Sequence, residues 1–342
     1  MRPSSSSRVR KSEAPASRAD LYQRITDTIV AQLEQGRVPW VQPWSDLPGC
    51  ASVAMPRNAL TRRAYSGINV MLLWAGGTAM SYPTQRWLTF RQALSLGGCV
   101  RKGEKGTPVV YADRFTSEQE RERVRREGEE ARSIAFLKQY TVFNIAQCDG
   151  LPMHLYTPPP PLREDLIEPR FRALMEASGM TIRFGGDIAY YRPADDVIVL
   201  PPPQAFIERV NVHRTLAHEM SHATGHSSRL ARDFKGRYGS EGYAREELVA
   251  EISAAYVCAS LGIVPTVRHA DYIGSWLEVL RNDSRAILQS AALASRSADW
   301  LLGRLPAVYA LPTEGEVEGE HGGEAVDQDV GLAAGQPARE AA

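Results

Sequence analysis

The sequence predicts an α+β protein with two domains, and three observations support this prediction. The chain has 342 residues, which is more than one typical domain contains. A proline-rich run, YTPPPPL at 156–162, has the composition of a stiff, extended linker. Short strand patterns and amphipathic helical patterns occur on both sides of it. We therefore expect one domain over residues 19–155 and a second over 164–311, joined through 156–163.

The first domain is predicted to begin with an amphipathic helix at residues 20–35. Apolar residues recur there at every fourth position, Asp20 can cap the helix and Gly36 ends it. Two shorter helical patterns follow, at 70–74 and at 87–93.

A β-hairpin is predicted to complete the first domain. The apolar runs TPVVY at 107–111 and AFLKQYTVFNI at 135–145 have the composition of paired strands. Between them lies an almost wholly charged segment, 117–132, which we interpret as a solvated insertion.

The second domain is predicted to contain a short sheet followed by several helices. The predicted strands are 181–184, 188–191 and 197–200, and the predicted helices outside the motif described below are 164–178, 243–261, 272–280 and 284–302. Residues 1–18 and 312–342 have the composition of disordered tails, basic at the first end and acidic at the second.

Charge is unevenly distributed along a chain whose net charge is zero. Residues 1–150 hold 22 Lys and Arg against 14 Asp and Glu, and the remainder carries the opposite excess. A basic half suggests a surface that faces nucleic acid. No apolar run is long enough for a membrane span, and the first residues lack the apolar core of a secretory signal, so we expect a cytoplasmic protein. Four widely spaced cysteines argue against a disulfide framework.

The most informative pattern is His218-Glu219-Met220-Ser221-His222. Two histidines four residues apart on a helix share a face, and paired neutral imidazoles are common Zn²⁺ ligands. Glu219 lies beside the first histidine, where a general base for the attacking water of a metallopeptidase is found. The pattern predicts a zinc centre with one ion per chain, although other divalent metals remain possible.

The third ligand has several candidates. A histidine ten residues after His218 would complete the metzincin pattern, but Ser228 occupies that position. His226 lies eight residues after His218 and follows a glycine that should end the helix. The better candidates are Glu247 and Glu251, which share a face of a mostly apolar helix. We favour Glu247, whose spacing resembles that of glutamate zincins, and expect the other to accept a hydrogen bond from a ligand histidine.

Two further features fit a peptidase. The hairpin at 190–200 precedes the metal helix and could pair with an extended substrate. Tyr238 or Tyr243 could donate a hydrogen bond to an oxyanion, although packing is the more common role of such tyrosines.

Single-strand binding requires cations for phosphates and aromatic rings for bases. The basic half supplies such residues, and no helix-turn-helix or zinc-finger pattern accompanies them. The candidates are Arg62, Arg63, Tyr65, Arg101, Lys102 and Lys105. Lys102 and Lys105 lie in a glycine-bounded turn that we expect to be exposed, whereas the nearby tryptophans Trp74 and Trp87 are more typical of a core.

Longer stretches of the chain resemble a known family. The run RAYSGINVMLLW, the run WLTFRQALSLGGCVRKGEKGTPVVY and the run KQYTVFNIAQCDGLP resemble the N-terminal domain of ArdC-like antirestriction proteins, which is also similar to conjugative TraC primases. The runs TLAHEMSHATGHSSRL and YAREELVAEISAAYVCASLGI resemble the zincin-like metallopeptidase domain attached to it. The long charged insert is a departure from the family.

The resemblance implies a protein of a plasmid, conjugative element or phage that binds single-stranded DNA and protects incoming DNA from host restriction. It implies a zinc metallopeptidase whose protein or peptide substrate is unknown, with the host restriction machinery as one possibility. Two alternatives stay open: a non-enzymatic single-strand-binding protector, and a conjugative primase accessory, each with a structural metal.

Overall fold

Both halves of the chain contain strands and helices, which confirms the predicted α+β class. The structure is a computed structural model that describes residues 18–41, 54–115, 123, 125, 126, 134–156, 167–232, 239–265 and 272–309. Nearly all of the predicted tails and most of the predicted linker and insert lie outside these residues.

The described elements are named in chain order. The helices are α1 (Arg18–Glu34), α2 (Ile68–Ala79), α3 (Phe90–Ser95), α4 (Ile167–Ala177), α5 (Val210–Ala223), α6 (Glu241–Leu261), α7 (Ile273–Asn282) and α8 (Ala286–Leu302). The strands are β1 (Arg57–Asn58), β2 (Arg86–Thr89), β3 (Cys99–Val100), β4 (Thr107–Phe115), β5 (Ile134–Asn144), β6 (Cys148–Asp149), β7 (Thr181–Phe184), β8 (Tyr190–Arg192) and β9 (Val197–Leu200). Short 3₁₀ turns occur at Ile145–Gln147, Met153–Leu155, Pro203–Ala205 and Ala307–Tyr309.

The N-terminal sheet has the order β1-β2-β5-β4. Strands β4 and β5 form a long antiparallel hairpin from Thr107 opposite Val142 to Phe115 opposite Ile134, which confirms the predicted pairing. Strand β2 pairs with the other side of β5, and β1 runs parallel to β2. Strands β3 and β6 form a separate, two-stranded antiparallel sheet.

The helix predicted at 87–93 is only partly correct. Residues Arg86–Thr89 form β2, and the helix begins at Phe90. Trp87 and Leu88 are fully buried, so tertiary packing against β5 outweighs the local helical pattern. Thr89 then caps the helix through a capping box with Gln92.

The C-terminal sheet has the order β7-β9-β8, with β7 parallel and β8 antiparallel to β9. This confirms the predicted strand at 181–184 and the predicted hairpin before the metal helix. Strand β9 is buried and packs on α5, while β8 occupies an edge of the sheet. None of the helices in the described part of the chain combines the length and the apolar character needed to span a bilayer.

The two halves share one apolar core. Helix α1 packs on α7, where the fully buried Trp40 meets Trp276 edge to face at 5.4 Å between ring centroids. Helix α6 reaches the N-terminal half through Tyr256, whose hydroxyl donates to the Gly67 carbonyl at 2.9 Å and whose ring packs on Trp74. Each of the two predicted domains is therefore stabilised by contacts with the other.

Replacing Trp40 with alanine should lower the free energy of unfolding by about 3–5 kcal/mol, because removing a buried indole leaves a cavity between the halves. Denaturant unfolding followed by circular dichroism measures this loss. Ile207→Ala provides the control, since that side chain is fully exposed and should contribute less than about 0.5 kcal/mol. A loss below about 1 kcal/mol for Trp40→Ala would show that the shared core contributes little.

Candidate metal centre and nucleic-acid surface

A buried histidine and a partly buried one lie on one face of α5. His218 and His222 are four residues apart, so their side chains leave the helix in nearly the same direction. Their side chains are 3% and 12% exposed, and their Nε2 atoms lie 3.1 Å apart. Each imidazole therefore directs one nitrogen towards the same small volume.

Helix α6 places a carboxylate against these nitrogens. Glu247 Oε2 lies 3.5 Å from His218 Nε2, and Glu247 Oε1 lies 3.5 Å from His222 Nε2. Among the described residues, these three side chains form a group that could hold a metal ion, with all ligand atoms within 4.8 Å of one another. The carboxylate is buried because the flanking apolar residues of α6 pack the helix against α5.

The separations and the chemistry of these donors fit a tetrahedral divalent ion. Zn²⁺ with bonds of about 2.0–2.1 Å keeps its ligand atoms about 3.3 Å apart. The two Nε2 atoms lie 3.1 Å apart, which agrees with this spacing, and each lies 3.5 Å from a different oxygen of Glu247. Two imidazoles and one carboxylate also leave a fourth position, as a catalytic site requires. Nitrogen and oxygen donors of this kind can hold other divalent ions, including Mn²⁺.

Two further glutamates of α6 support the opposite edges of the imidazoles. Glu251 Oε1 lies 3.8 Å from His218 Nδ1, and Glu246 Oε1 lies 3.3 Å from His222 Nδ1. The Glu246 contact is a hydrogen bond that orients the His222 ring and leaves its Nε2 for a metal. The distance from Glu251 to His218 is too long for a hydrogen bond and places the Glu251 carboxylate only in ion-pair range of that ring. This arrangement favours Glu247 over Glu251 as the third ligand, with Glu251 behind His218.

Arg232 connects this support to the loop after α5. Its guanidinium donates to Glu246 at 2.7 and 3.1 Å, to Thr224 Oγ1 at 2.6 Å and to the Ser221 carbonyl at 2.7 Å. Sequence reasoning missed the roles of Glu246 and Arg232. The presence of several acids on an apolar helix indicated that they needed cationic partners. It did not indicate which arginine would be one of those partners.

The buried charges in this centre hold one another ionised. Burial lowers the pKa of His222, but hydrogen bonds to Glu246 and Glu247 and their charges outweigh it and raise the pKa to about 10. Burial raises the pKa of Glu247, but His218 and His222 lower it well below the usual range. The pKa of Glu246 is also lowered, because His222 and Arg232 outweigh burial.

These pKa shifts determine how the stability of the metal-free fold changes with pH. The raised pKa of His222 stabilises the metal-free fold fully below the ordinary value of 6.5, and this contribution is lost as pH rises towards about 10. The lowered carboxyl pKa values stabilise the fold above the ordinary value of 4.5, and that contribution is lost in acid. At neutral pH a metal must therefore displace a proton from His222.

Glu219 has the environment expected of a general base. It lies on α5 next to His218 and is 5% exposed. Within the part of the chain that the structure describes, its carboxylate makes no hydrogen bond or ion pair. Its carboxylate oxygens still reach solvent, so the group is available to exchange a proton with water.

Of the two tyrosines predicted to stabilise an oxyanion, Tyr243 lies close to the metal centre. The Tyr243 hydroxyl is hydrogen-bonded to Glu247 and lies 3.0 Å from the hydroxyl of Tyr272. Burial is the main reason that the pKa of Tyr243 is raised, so the hydroxyl stays a donor. It therefore orients the ligand carboxylate in this structure. Tyr238 lies outside the described residues.

His226 follows the end of α5 and contacts a different group of residues. Its Nδ1 lies 2.8 Å from Ser228 Oγ and 3.8 Å from an oxygen of Asp196. Asp196 also accepts from Tyr191 at 2.9 Å and pairs with Arg229 through both carboxylate oxygens. This cluster ties the β8–β9 hairpin to the loop after the metal helix, with β8 at the sheet edge.

The cationic candidates for DNA binding lie on two exposed turns. Arg62 and Arg63 are exposed on the turn after β1, and Lys102 and Lys105 are exposed on the turn after β3. The side chains of these four residues make no hydrogen bond or ion pair with any other described residue. Arg101 differs, because it pairs with carboxylates on either side and donates to a backbone carbonyl.

Tyr65 requires a correction. The sequence placed its ring on the DNA surface, but the residue is 4% exposed and packs in a small core with Trp87 and Val142. Burial also raises the pKa of its hydroxyl. Tyr65 therefore stabilises the N-terminal sheet and has no ring surface to offer a base.

Comparison with known proteins supports both halves of this description. Residues 19–143 match the family described as the N-terminal domain of anti-restriction factor ArdC, and residues 169–293 match the zincin-like metallopeptidase family. Protein y4eC of Sinorhizobium fredii, itself uncharacterized, is 40% identical over 294 residues, or 84% of this chain and 93% of that protein.

Two DNA primases named TraC from Escherichia coli are also similar. They are 37% and 38% identical over 86% and 82% of this chain. The chain spans only 20% and 27% of their lengths. The similarity therefore concerns one part of those primases.

Two crystal structures of the antirestriction ArdC protein from the R388 plasmid share the fold. The metal-free structure matches with a TM-score of 0.70 and 40% identity over 84% of this chain and 98% of that chain. The Mn(II)-bound structure matches with a TM-score of 0.69 and 39% identity over 84% and 99%.

Glu247→Gln should weaken Zn²⁺ binding more than Glu251→Gln, because the first replaces an anionic ligand and the second only the support behind His218. Loss of such support typically costs about 10–100-fold in affinity. Competition with a chromophoric chelator measures both, and Glu278→Gln, on an exposed face of α7, is the matched control. If Glu251→Gln proves the weaker binder, Glu251 is the ligand and the proposed order is reversed.

Proposed function

Because the chain belongs to the ArdC family of antirestriction proteins and contains a zincin-like metallopeptidase domain, we propose that it is a zinc-dependent peptidase that binds single-stranded DNA. In this proposal it protects incoming DNA from host restriction by cutting a protein or peptide. The restriction machinery is the candidate substrate, since it is the activity that an antirestriction factor opposes.

One observation carries the catalytic part of the proposal. His218, His222 and Glu247 converge with the spacing of metal ligands, and the adjacent Glu219, a residue only 5% exposed, has a carboxylate without a partner among the described residues. A metal held only for stability would need the three ligands, but not an unpaired acid beside them.

The residues of the centre divide the chemistry of peptide hydrolysis. When bound, the metal supplies Lewis-acid chemistry that polarises the scissile carbonyl and acidifies the attacking water. Glu219 takes the proton of that water at its carboxylate and later passes it to the leaving amine nitrogen. Glu246 holds the His222 imidazole in orientation through a hydrogen bond to Nδ1, and the Glu251 carboxylate lies behind His218 at 3.8 Å from its Nδ1.

Strand β8 is the proposed docking position for the peptide. As an edge strand it has one side on which backbone groups can pair with an extended chain. It packs near α5, and Asp196 and Arg229 hold its hairpin against the loop that follows the metal helix. A substrate strand added there would lie beside the helix that carries Glu219.

Two observations support the DNA-binding part of the proposal: the positive charge of the N-terminal half and its sequence similarity to DNA primases. The N-terminal half carries the positive excess, and its exposed turns hold cations at Arg62, Arg63, Lys102 and Lys105 that have no partner among the described residues. The similar region of the TraC proteins belongs to DNA primases, which also favours a second candidate, an accessory that coats transferred strands without cutting protein.

Glu219→Gln separates the enzymatic proposal from the non-enzymatic one, because it removes the base and keeps all three ligands. A plasmid that encodes the variant should transfer into a restricting recipient at the frequency of a plasmid that lacks the gene. Transfer into a non-restricting recipient should be unchanged. Conjugation frequency in the two recipients is the measurement.

Glu278→Gln, an exposed substitution of the same kind, should protect as well as the wild type. Metal content and binding to single strands must be retained in Glu219→Gln for the comparison to hold. If Glu219→Gln then protects fully, peptidase activity is not needed and the metal acts as a structural element.

A further inference from the structure

An exposed aromatic ring at the start of α3 forms the centre of an apolar patch. Phe90 is 50% exposed, and its ring meets that of Phe143 edge to face at 6.4 Å between centroids. Leu94 on the next turn is 51% exposed, and Leu60 on the turn after β1 is 42% exposed. Exposed apolar patches of this kind commonly mark binding surfaces.

Hydrogen bonds fix the turn after β1 beside this ring. Asn58 lies opposite Trp87 in the sheet, and its Nδ2 donates to Gln92 on α3 at 2.9 Å. Its Oδ1 accepts from the backbone N–H of Leu60 at 3.1 Å. The turn and the first turn of α3 therefore form one rigid surface.

Cations border the patch on this side. Arg62 holds a positive φ of 60°, an unfavourable conformation for an arginine, and its carbonyl accepts from Arg57 at 3.1 Å. The exposed side chains of Arg62, Arg63 and Arg91 form no ion pair with any described residue. The turn thus keeps its guanidinium groups available next to Phe90.

The lysine turn also borders the ring pair. A Cβ atom at Gly106 would lie 3.0 Å from Phe143 Cε1 and 2.3 Å from Thr141 Cγ2, so the turn lies directly against the Phe143 ring. The adjacent Lys105 carbonyl accepts from Gln147 at 2.9 Å, which holds the turn in place. Lys102 and Lys105 extend from it without partners among the described residues.

We propose that Phe90 and Phe143 form a base-stacking platform for single-stranded DNA, with the arginines of one neighbouring turn and the lysines of the other to hold the phosphates. This inference rests on the proposed single-strand binding and assigns it to a surface. Unpaired cations select a polyanion, and an exposed ring between them suits the bases of an unpaired strand. The platform takes the role that the buried Tyr65 cannot fill.

Two oligonucleotides separate stacking from charge. Fluorescence anisotropy with an oligothymidylate of about 30 nucleotides and with an abasic strand of the same length compares binding with and without bases. Phe90→Ala should weaken binding to oligothymidylate about tenfold and leave abasic binding and the salt dependence unchanged. Phe90→Trp should restore affinity. Lys102→Glu with Lys105→Glu should instead weaken both ligands and flatten the salt dependence.

The controls distinguish the possible failures. Phe184→Ala removes a similarly exposed ring from β7 of the metallopeptidase half and should not change binding. Phe143→Leu keeps apolar bulk and should reproduce the Phe90→Ala loss, with circular dichroism confirming the fold of each variant. If the wild type binds no single strand, the proposed DNA binding itself fails. If it binds but Phe90→Ala loses nothing, or loses both ligands equally, the platform is wrong.

Discussion

The cost of burying charge between α5 and α6 is the constraint on which this structure depends. Two imidazoles from one helix meet three carboxylates from the other in a volume with little access to water. Unpaired charges there would be prohibitively costly. Arg232 balances Glu246, and His218, His222 and Glu247 converge with the spacing of metal ligands. The interface between α5 and α6 thus determines both how these helices pack and where the candidate metal ligands lie.

Helix α6 transmits this constraint to the rest of the molecule. Its first half presents the acids to α5, while its second half is apolar and carries Tyr256 into the N-terminal region, where it contacts Gly67 and Trp74. The segment that contacts α6 follows directly from the turn of Arg62 and Arg63. The metal centre and the proposed DNA surface are therefore connected through packed elements, and the two halves share contacts.

Local patterns allowed most of the centre to be predicted from the sequence. The four-residue spacing on α5 and the alternating strands of the two hairpins are properties of single segments, and helical periodicity placed Glu247 and Glu251 on one face. The support of Glu246 by Arg232, the burial of Tyr65 and the strand at Trp87 depend on contacts between distant segments, which no single-segment pattern contains. The same is true of the juxtaposition of Phe90 with Phe143.

Calorimetric titration of the metal-free protein with Zn²⁺, repeated in buffers of different ionisation enthalpy near pH 8, measures both metal binding at this centre and the protons that it releases. We expect saturation at about one ion per chain. We also expect release of about one proton per ion, because the carboxylates around His222 raise its pKa to about 10. Absence of saturable binding would contradict the metal centre, and binding without proton release would contradict the electrostatic arrangement proposed for it.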